Sequence, residues 1–259
     1  MAKGVRPMLG LLGGAHLGDI AAPDLKLLTI LPGESIAFGV DADGQLVRIQ
    51  LSDGGKTETG VRGVDALVTS PRGASIGALA GLTVKIISAA GSVVREVELT
   101  GEAKSIAVAD DGLTVAAVIA DGDQQSLYLN STKVYTSDRL LTPAFFSDSP
   151  KAIFGDGSGS LFVVDSTLKL SSAGSVSGAA AVAALDADRI LAIAGKSVTS
   201  VRISTGETAL VECSCEPSMI KPTGDFKFIL TNAEGAPIWL LDAAQEQLRV
   251  GFVPEAVNE

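Results

Sequence analysis

The sequence predicts an all-β protein assembled from six copies of one four-stranded unit. Three observations carry that expectation. A turn tetrad recurs at nearly constant spacing: Pro32-Gly33-Glu34-Ser35, Ser70-Pro71-Arg72-Gly73, Ala109-Asp110-Asp111-Gly112, Ser147-Asp148-Ser149-Pro150, Leu185-Asp186-Ala187-Asp188 and Lys221-Pro222-Thr223-Gly224 begin 38, 39, 38, 38 and 36 residues apart. The runs that follow three of them, 76–80, 115–120 and 190–194, are apolar at every position, as a strand covered on both faces requires. Later runs in the first two units, 45–51 and 93–99, alternate: in 45–51, Leu46, Arg48 and Gln50 face one way and Val47, Ile49 and Leu51 the other, the period of a half-buried strand.

Each unit reads as strand, turn, strand, turn, strand, turn, strand. The first is expected at 24–31, 35–40, 45–51 and 57–61, with Asp41-Ala42-Asp43-Gly44 as the middle turn. The second is expected at 64–69, 76–80, 82–87 and 93–99, and the third at 105–109, 114–120, 126–130 and 133–136. The fourth follows at 140–146, 151–154, 160–165 and 167–171. In the fifth, Gly178-Ala179-Ala180-Ala181-Val182-Ala183-Ala184-Leu185 has the composition of a helix, but the period puts a first strand there, before strands at 189–194, 197–203 and 208–213. The sixth is expected at 217–221, 226–231, 237–242 and 247–253. Its stretch 240–248 also scores as a short helix, and again the period argues for strand, turn, strand.

Six four-stranded units of about 38 residues fit a single β-propeller, with blades arranged around a channel. The ring is expected over 24–253, with 1–23 as an extended N-terminal segment and 254–259 as a tail. A seven-bladed ring, a β-sandwich and a pair of small β domains are the alternatives; neither of the last two requires the period. The last unit has its own fourth strand, so the ring need not borrow one from the N-terminus. The N-terminal segment, with five glycines from Gly4 to Gly18, is then expected across a face or at the channel entrance. The pattern resembles the WD40-like and YVTN-like propeller superfamily in its S-P-x-G-type turn at Ser70–Gly73, and more loosely at Ala109–Gly112 and Lys221–Gly224. The Gly-His and Trp-Asp dipeptides of WD40 repeats and the YVTN tetrapeptide are missing. The resemblance therefore implies a fold and transfers no functional residue.

Charge narrows the function. Thirty acidic and 20 basic residues give a net charge of −10, which repels phosphate backbones and anionic lipid surfaces. No apolar run reaches the ~18 residues of a membrane helix. A soluble monomer without nucleic-acid partners is expected. The N-terminus lacks the apolar core of a signal peptide, and a secreted or periplasmic location after removal of such a peptide stays open.

Candidate sites each have a plain reading beside the functional one. His16 is the sole histidine and the only available base for a nucleophile of the Ser-His-Asp kind; it is a candidate channel-mouth residue, or a histidine bonded to nearby backbone. Cys213-Ser214-Cys215 is either a redox pair or two small packed residues at a blade junction. An extended chain sets i and i+2 at the upper limit for a disulfide, so the pair is expected to be reduced or loosely coupled. Asp41, Asp43, Asp121, Asp123, Asp156 and Glu234 lie in loops between second and third strands and form a candidate binding face, unless they are ordinary turn residues. Trp239 reads as core, and Gly155-Asp156-Gly157-Ser158-Gly159 is not a phosphate loop.

The expected function is a non-catalytic interaction scaffold that presents an acidic face to a cationic protein or peptide, with no cofactor. The alternative is a calcium-dependent hydrolase or lactonase-like propeller, since calcium takes about six to eight oxygen ligands.

Overall fold

The computed structural model describes residues 3–5, 8–9, 16–17, 22–147, 149–224, 226–231, 237–244 and 247–253, with side chains from Leu25 onward. It contains six four-stranded antiparallel sheets, each an up-and-down meander of four consecutive strands. The blades are Leu27–Ile30, Ile36–Val40, Gln45–Gln50 and Lys56–Arg62; Ala66–Thr69, Ser75–Ala80, Thr83–Ser88 and Val93–Glu98; Ala103–Val108, Val115–Asp121, Gln124–Leu129 and Thr132–Ser137; Ala144–Phe145, Ala152–Gly155, Ser160–Val164 and Leu170–Ser175; Ala179–Ala184, Arg189–Ala194, Ser197–Arg202 and Thr208–Glu212; and Lys221–Gly224, Lys227–Ile229, Ile238–Asp242 and Arg249–Val253.

The second strands explain why these runs become strands. Ala152, Ile153, Phe154 and Gly155 are all buried, as are residues 75–79 and 115–119. A strand with no polar face can sit only between two apolar layers. Neighbouring blades supply those layers, and five apolar clusters fill the gaps between successive blades from the first to the sixth. The fit is close. A Cβ on Gly77 would lie 2.6 Å from Val108 Cγ1 of the next blade and 3.1 Å from Val68 Cγ2. The same environment overrides helix propensity at Ala179–Ala184, which pairs with the second strand of its blade from Ala179↔Ala194 to Ala184↔Ile190.

The first-to-second-strand turns gather on one face and touch one another. Ser70 and Ala109 each accept a bond from the glycine three residues on, at 3.0 and 3.3 Å. Asp110 Oδ1 accepts the Arg72 backbone N–H at 2.9 Å, linking the second turn to the third. A Cβ on Gly73 would meet the Pro32 carbonyl oxygen at 3.0 Å, and one on Gly224 would meet the Gly33 nitrogen at 3.0 Å. The last contact joins the sixth blade to the first.

Three expectations need correction. The sixth blade does not begin at 217–221 with a turn at 221–224; Lys221–Gly224 is itself the first strand, with register Lys221↔Ile229. The extended run 217–220 precedes it, and both Ser218 and Met219 donate to the Leu230 carbonyl. Gly224 at φ 107° and Phe226 at φ 58° make a tighter hairpin possible there. In the fourth blade the first strand shrinks to Ala144–Phe145, because Pro143 removes a donor and Leu140 makes only an isolated bridge to Asp156. Finally, Cys213 and Cys215 are not reduced: they form a disulfide with a Cα–Cα distance of 4.9 Å. The chain turns at this crossover instead of running extended, and the Cys215 N–H donates to Cys213 Sγ at 3.2 Å.

The N-terminal segment makes two small ladders, Lys3–Val5 with Ala22–Leu25 and Met8–Leu9 with His16–Leu17. Neither joins a blade, and the sixth sheet is completed by its own Arg249–Val253. The tail at 254–259 lies outside the described residues.

Two outcomes follow. Gly77→Val lowers unfolding free energy by roughly 1–3 kcal/mol through overpacking, measured by urea denaturation. The disulfide closes a very short loop, so reductant lowers stability by only about 1–2 kcal/mol, and the Cys213→Ser, Cys215→Ser double variant melts alike with and without reductant.

Candidate binding site

The antiparallel order sends all second-to-third-strand loops to the face opposite the turns just described. The structure gives the acids on those loops different tasks. Asp41 Oδ1 accepts the backbone N–H of Asp43 at 3.0 Å and of Gln45 at 2.9 Å, so its carboxylate shapes its own turn. Asp43 and Asp123 are exposed. Asp121 pairs with Lys133 at 2.6 Å and accepts from Ser126 Oγ at 3.1 Å. These bonds, Lys133 first, hold its carboxyl below the usual range.

Asp156 is 7% exposed. It accepts from the Ser158 N–H at 2.9 Å, Ser158 Oγ at 2.6 Å, the Ser160 N–H at 3.1 Å and Tyr135 OH at 3.1 Å. Burial opposes its charge, but the hydrogen bonds from Ser158, Ser160 and Tyr135 outweigh burial, and its carboxyl lies below the ordinary range. Burial and the neighbouring carboxylate together push the Tyr135 phenol up. Because Tyr135 belongs to the third blade and Asp156 to the fourth, this residue is a strap between blades and not part of an open face. Glu234 lies outside the described residues. His16 pairs with Leu9 in the N-terminal ladder, and the surroundings of its side chain lie outside the described residues. Among the described residues no three His, Cys, Asp or Glu side chains come together as a metal site.

Sequence reasoning missed the central cavity, about 750 Å³ in volume. The first strands of blades two to six line it, and turn residues such as Gly33, Pro71 and Asp186 rim it. No described residue of the second-to-third-strand loops contributes, so it opens on the turn face. Its wall is apolar, with Val68, Val108, Ala144 and Val182, but Arg72, Lys221 and Lys227 also line it. Lys221 Nζ donates to Thr29 Oγ1 of the first blade at 3.2 Å, and burial lowers its pKa. The signal available in the sequence is a lysine that ends the expected strand 217–221 and opens the turn tetrad, a position that does not by itself place it on the channel.

No protein-family model and no curated relative matches the chain in sequence. Solved structures match in shape. The chain aligns over 89% of its length with 82% of U3-55K, at 15% identity and a TM-score of 0.59. It covers 90% of its own length and 81% of the RRP9 WD40 repeats at 15% identity and a TM-score of 0.59. With the β-propeller domain of Cps50 (Swd1) from Myceliophteria thermophila the shares are 98% and 90%, at 14% identity and a TM-score of 0.61. No described helix is long and apolar enough to cross a membrane.

The strap gives a pH signature. The folded-state pKa of Asp156 lies below its ordinary value of 3.8, so its contribution is present above that value and is lost as pH falls through the folded pKa. Asp156→Ala costs roughly 1.5–3 kcal/mol near neutral pH, the range for hydrogen bonds to a charged group. In denaturant titrations the gap from wild type narrows as pH drops below about 4. The six sheets, their order and these likenesses together identify the chain's architecture as a six-bladed β-propeller of the WD40-like fold.

Proposed function

We propose that the protein is a non-catalytic interaction scaffold whose second-to-third-loop face receives a cationic segment of a protein partner. The observation that carries this reading is the set of exposed carboxylates at the loop ends of the first three blades: Asp43, Asp65, Glu102, Asp123 and Asp138. The crossovers between blades and the second-to-third-strand loops leave the sheets at the same end, so these side chains share one face. Two nearby cations are already engaged: Lys26 Nζ donates to the Ala42 carbonyl at 2.7 Å, and Lys104 pairs with Glu102 at 3.3 Å, while Arg139 stands exposed beside Asp138. Carboxylates on a rigid ring lose little freedom when a partner docks, and like charges side by side raise the local negative potential.

The test is binding of a lysine- and arginine-rich peptide, followed by fluorescence anisotropy. Affinity is expected to fall as salt rises from about 0.1 M to 1 M, where the screening length shortens from about 10 Å to 3 Å. Asp43→Asn with Asp123→Asn weakens binding, while Glu34→Gln, on the turn face, leaves it unchanged. Equal affinity of all three proteins removes the acidic face as a binding surface.

A further inference from the structure

The cavity has the opposite electrostatic character from the chain around it. In a protein of net charge −10, the described lining contains Lys221, Lys227 and Arg72, the last already engaged with a partner, and one described acid, Asp186. That acid is already compensated: Arg189 Nε donates to its Oδ2 at 2.6 Å, and the Asp188 and Arg189 backbone N–H groups donate to its Oδ1 at 3.0 and 2.8 Å. Among the described residues Lys221 has no such partner. None of the described ion pairs includes it, and its one hydrogen-bond acceptor is the neutral Thr29 hydroxyl. An ammonium group has three donors, and moving it out of water without a counter-charge is costly. Burial accordingly lowers the Lys221 pKa.

We propose that the central cavity is a binding site for an amphipathic organic monoanion, with a carboxylate head against Lys221 and an apolar body against the inner strands. The volume of about 750 Å³ falls in the ~300–1,000 Å³ range of small-molecule sites. Leu67, Val68, Ala144, Ala181 and Met219 are partly exposed and offer apolar wall, so the body of the ligand leaves water on entry. Arg72 and Lys227 are exposed and Arg72 is already engaged, whereas Lys221 is the partly buried cation; one such ammonium balances one charge, which favours a carboxylate over a phosphate dianion, and the acidic exterior disfavours polyanions. The site is independent of the acidic loop face: it opens on the other side of the ring and selects the opposite charge.

The experiment uses the full chain with octanoate as probe, and with octan-1-ol, octylammonium and octyl phosphate as comparisons, by calorimetric titration and thermal shift. A ligand that binds only the folded state raises the melting temperature by mass action. Octanoate is expected to bind and stabilise, the alcohol and the amine to do neither, and octyl phosphate to bind more weakly. Lys221→Met lowers octanoate affinity by about tenfold or more, and Lys221→Arg restores most of it. Ala180→Phe fills the cavity from an exposed lining position and abolishes binding with the charge intact, which keeps the test decisive if Lys221→Met fails to fold. The proposal is overturned if octanoate does not bind at millimolar concentration. It is also overturned if octan-1-ol binds as well as octanoate, if octyl phosphate binds more tightly, or if folded Lys221→Met or Ala180→Phe binds as the wild type does.

Discussion

The structure depends on how closely one blade can lie on the next. The second strands of the first five sheets are largely buried, and what covers them is the adjoining sheet, joined at the first blade by Leu25 of the N-terminal ladder. At Gly77 the tolerance is so tight that a single added carbon would overlap Val108 of the following blade. That constraint accounts for the composition. A chain with 46% apolar residues but only 4% aromatic ones fills its interior with Ala, Val, Ile and Leu because these let flat layers approach. The few aromatic rings gather where there is room, as where Tyr135, Phe154 and Phe162 stack between the third and fourth blades at 5.0–5.4 Å.

Much of this was legible because the repeat constrains each copy by the others. Ala179–Ala184 has the local preference of a helix and becomes a strand, since the period reports the tertiary environment that propensity ignores. The same argument covers 240–248, where the described strands are Ile238–Asp242 and, just beyond, Arg249–Val253. It failed where a copy departs from the pattern. Lys221-Pro222-Thr223-Gly224 has the turn composition of its five counterparts, yet the tighter Gly224–Phe226 hairpin makes those residues a strand, and that error concealed Lys221 as a cavity residue. The cysteines were misjudged for a related reason: the distance argument assumed an extended chain, whereas the crossover at 213–215 is bent. Asp156 looked like its loop equivalents in sequence, and only the spatial neighbour Tyr135 shows that it is a buried strap.

Charge is distributed with a division of labour. Turn-forming aspartates such as Asp41, Asp156 and Asp165 spend their acceptors on nearby N–H and O–H groups, which stiffens the loops. Those at the loop tips stay in water. The cations that line the cavity, Arg72, Lys221 and Lys227, belong to a chain whose net charge is −10.

The seam between the last blade and the first is built differently from the other five. No apolar cluster of described residues spans it; Leu25, Ala37, Val47 and Ile49 form one small group and Leu240 and Val253 another. What crosses it is the Gly224–Gly33 approach and the Lys221–Thr29 bond, between residues 192 positions apart in the chain. The other blade-to-blade contacts join consecutive blades in the chain. During synthesis, blades one to five can therefore stack in the order they emerge, like a spiral staircase under construction, while the outer flank of the first, covered in part by Leu25 of the N-terminal ladder, meets its blade partner last. Closing so distant a pair carries the largest chain-entropy cost in the molecule. The ring is thus a linear stack with one late latch, and that latch lies beside the mouth of the cavity.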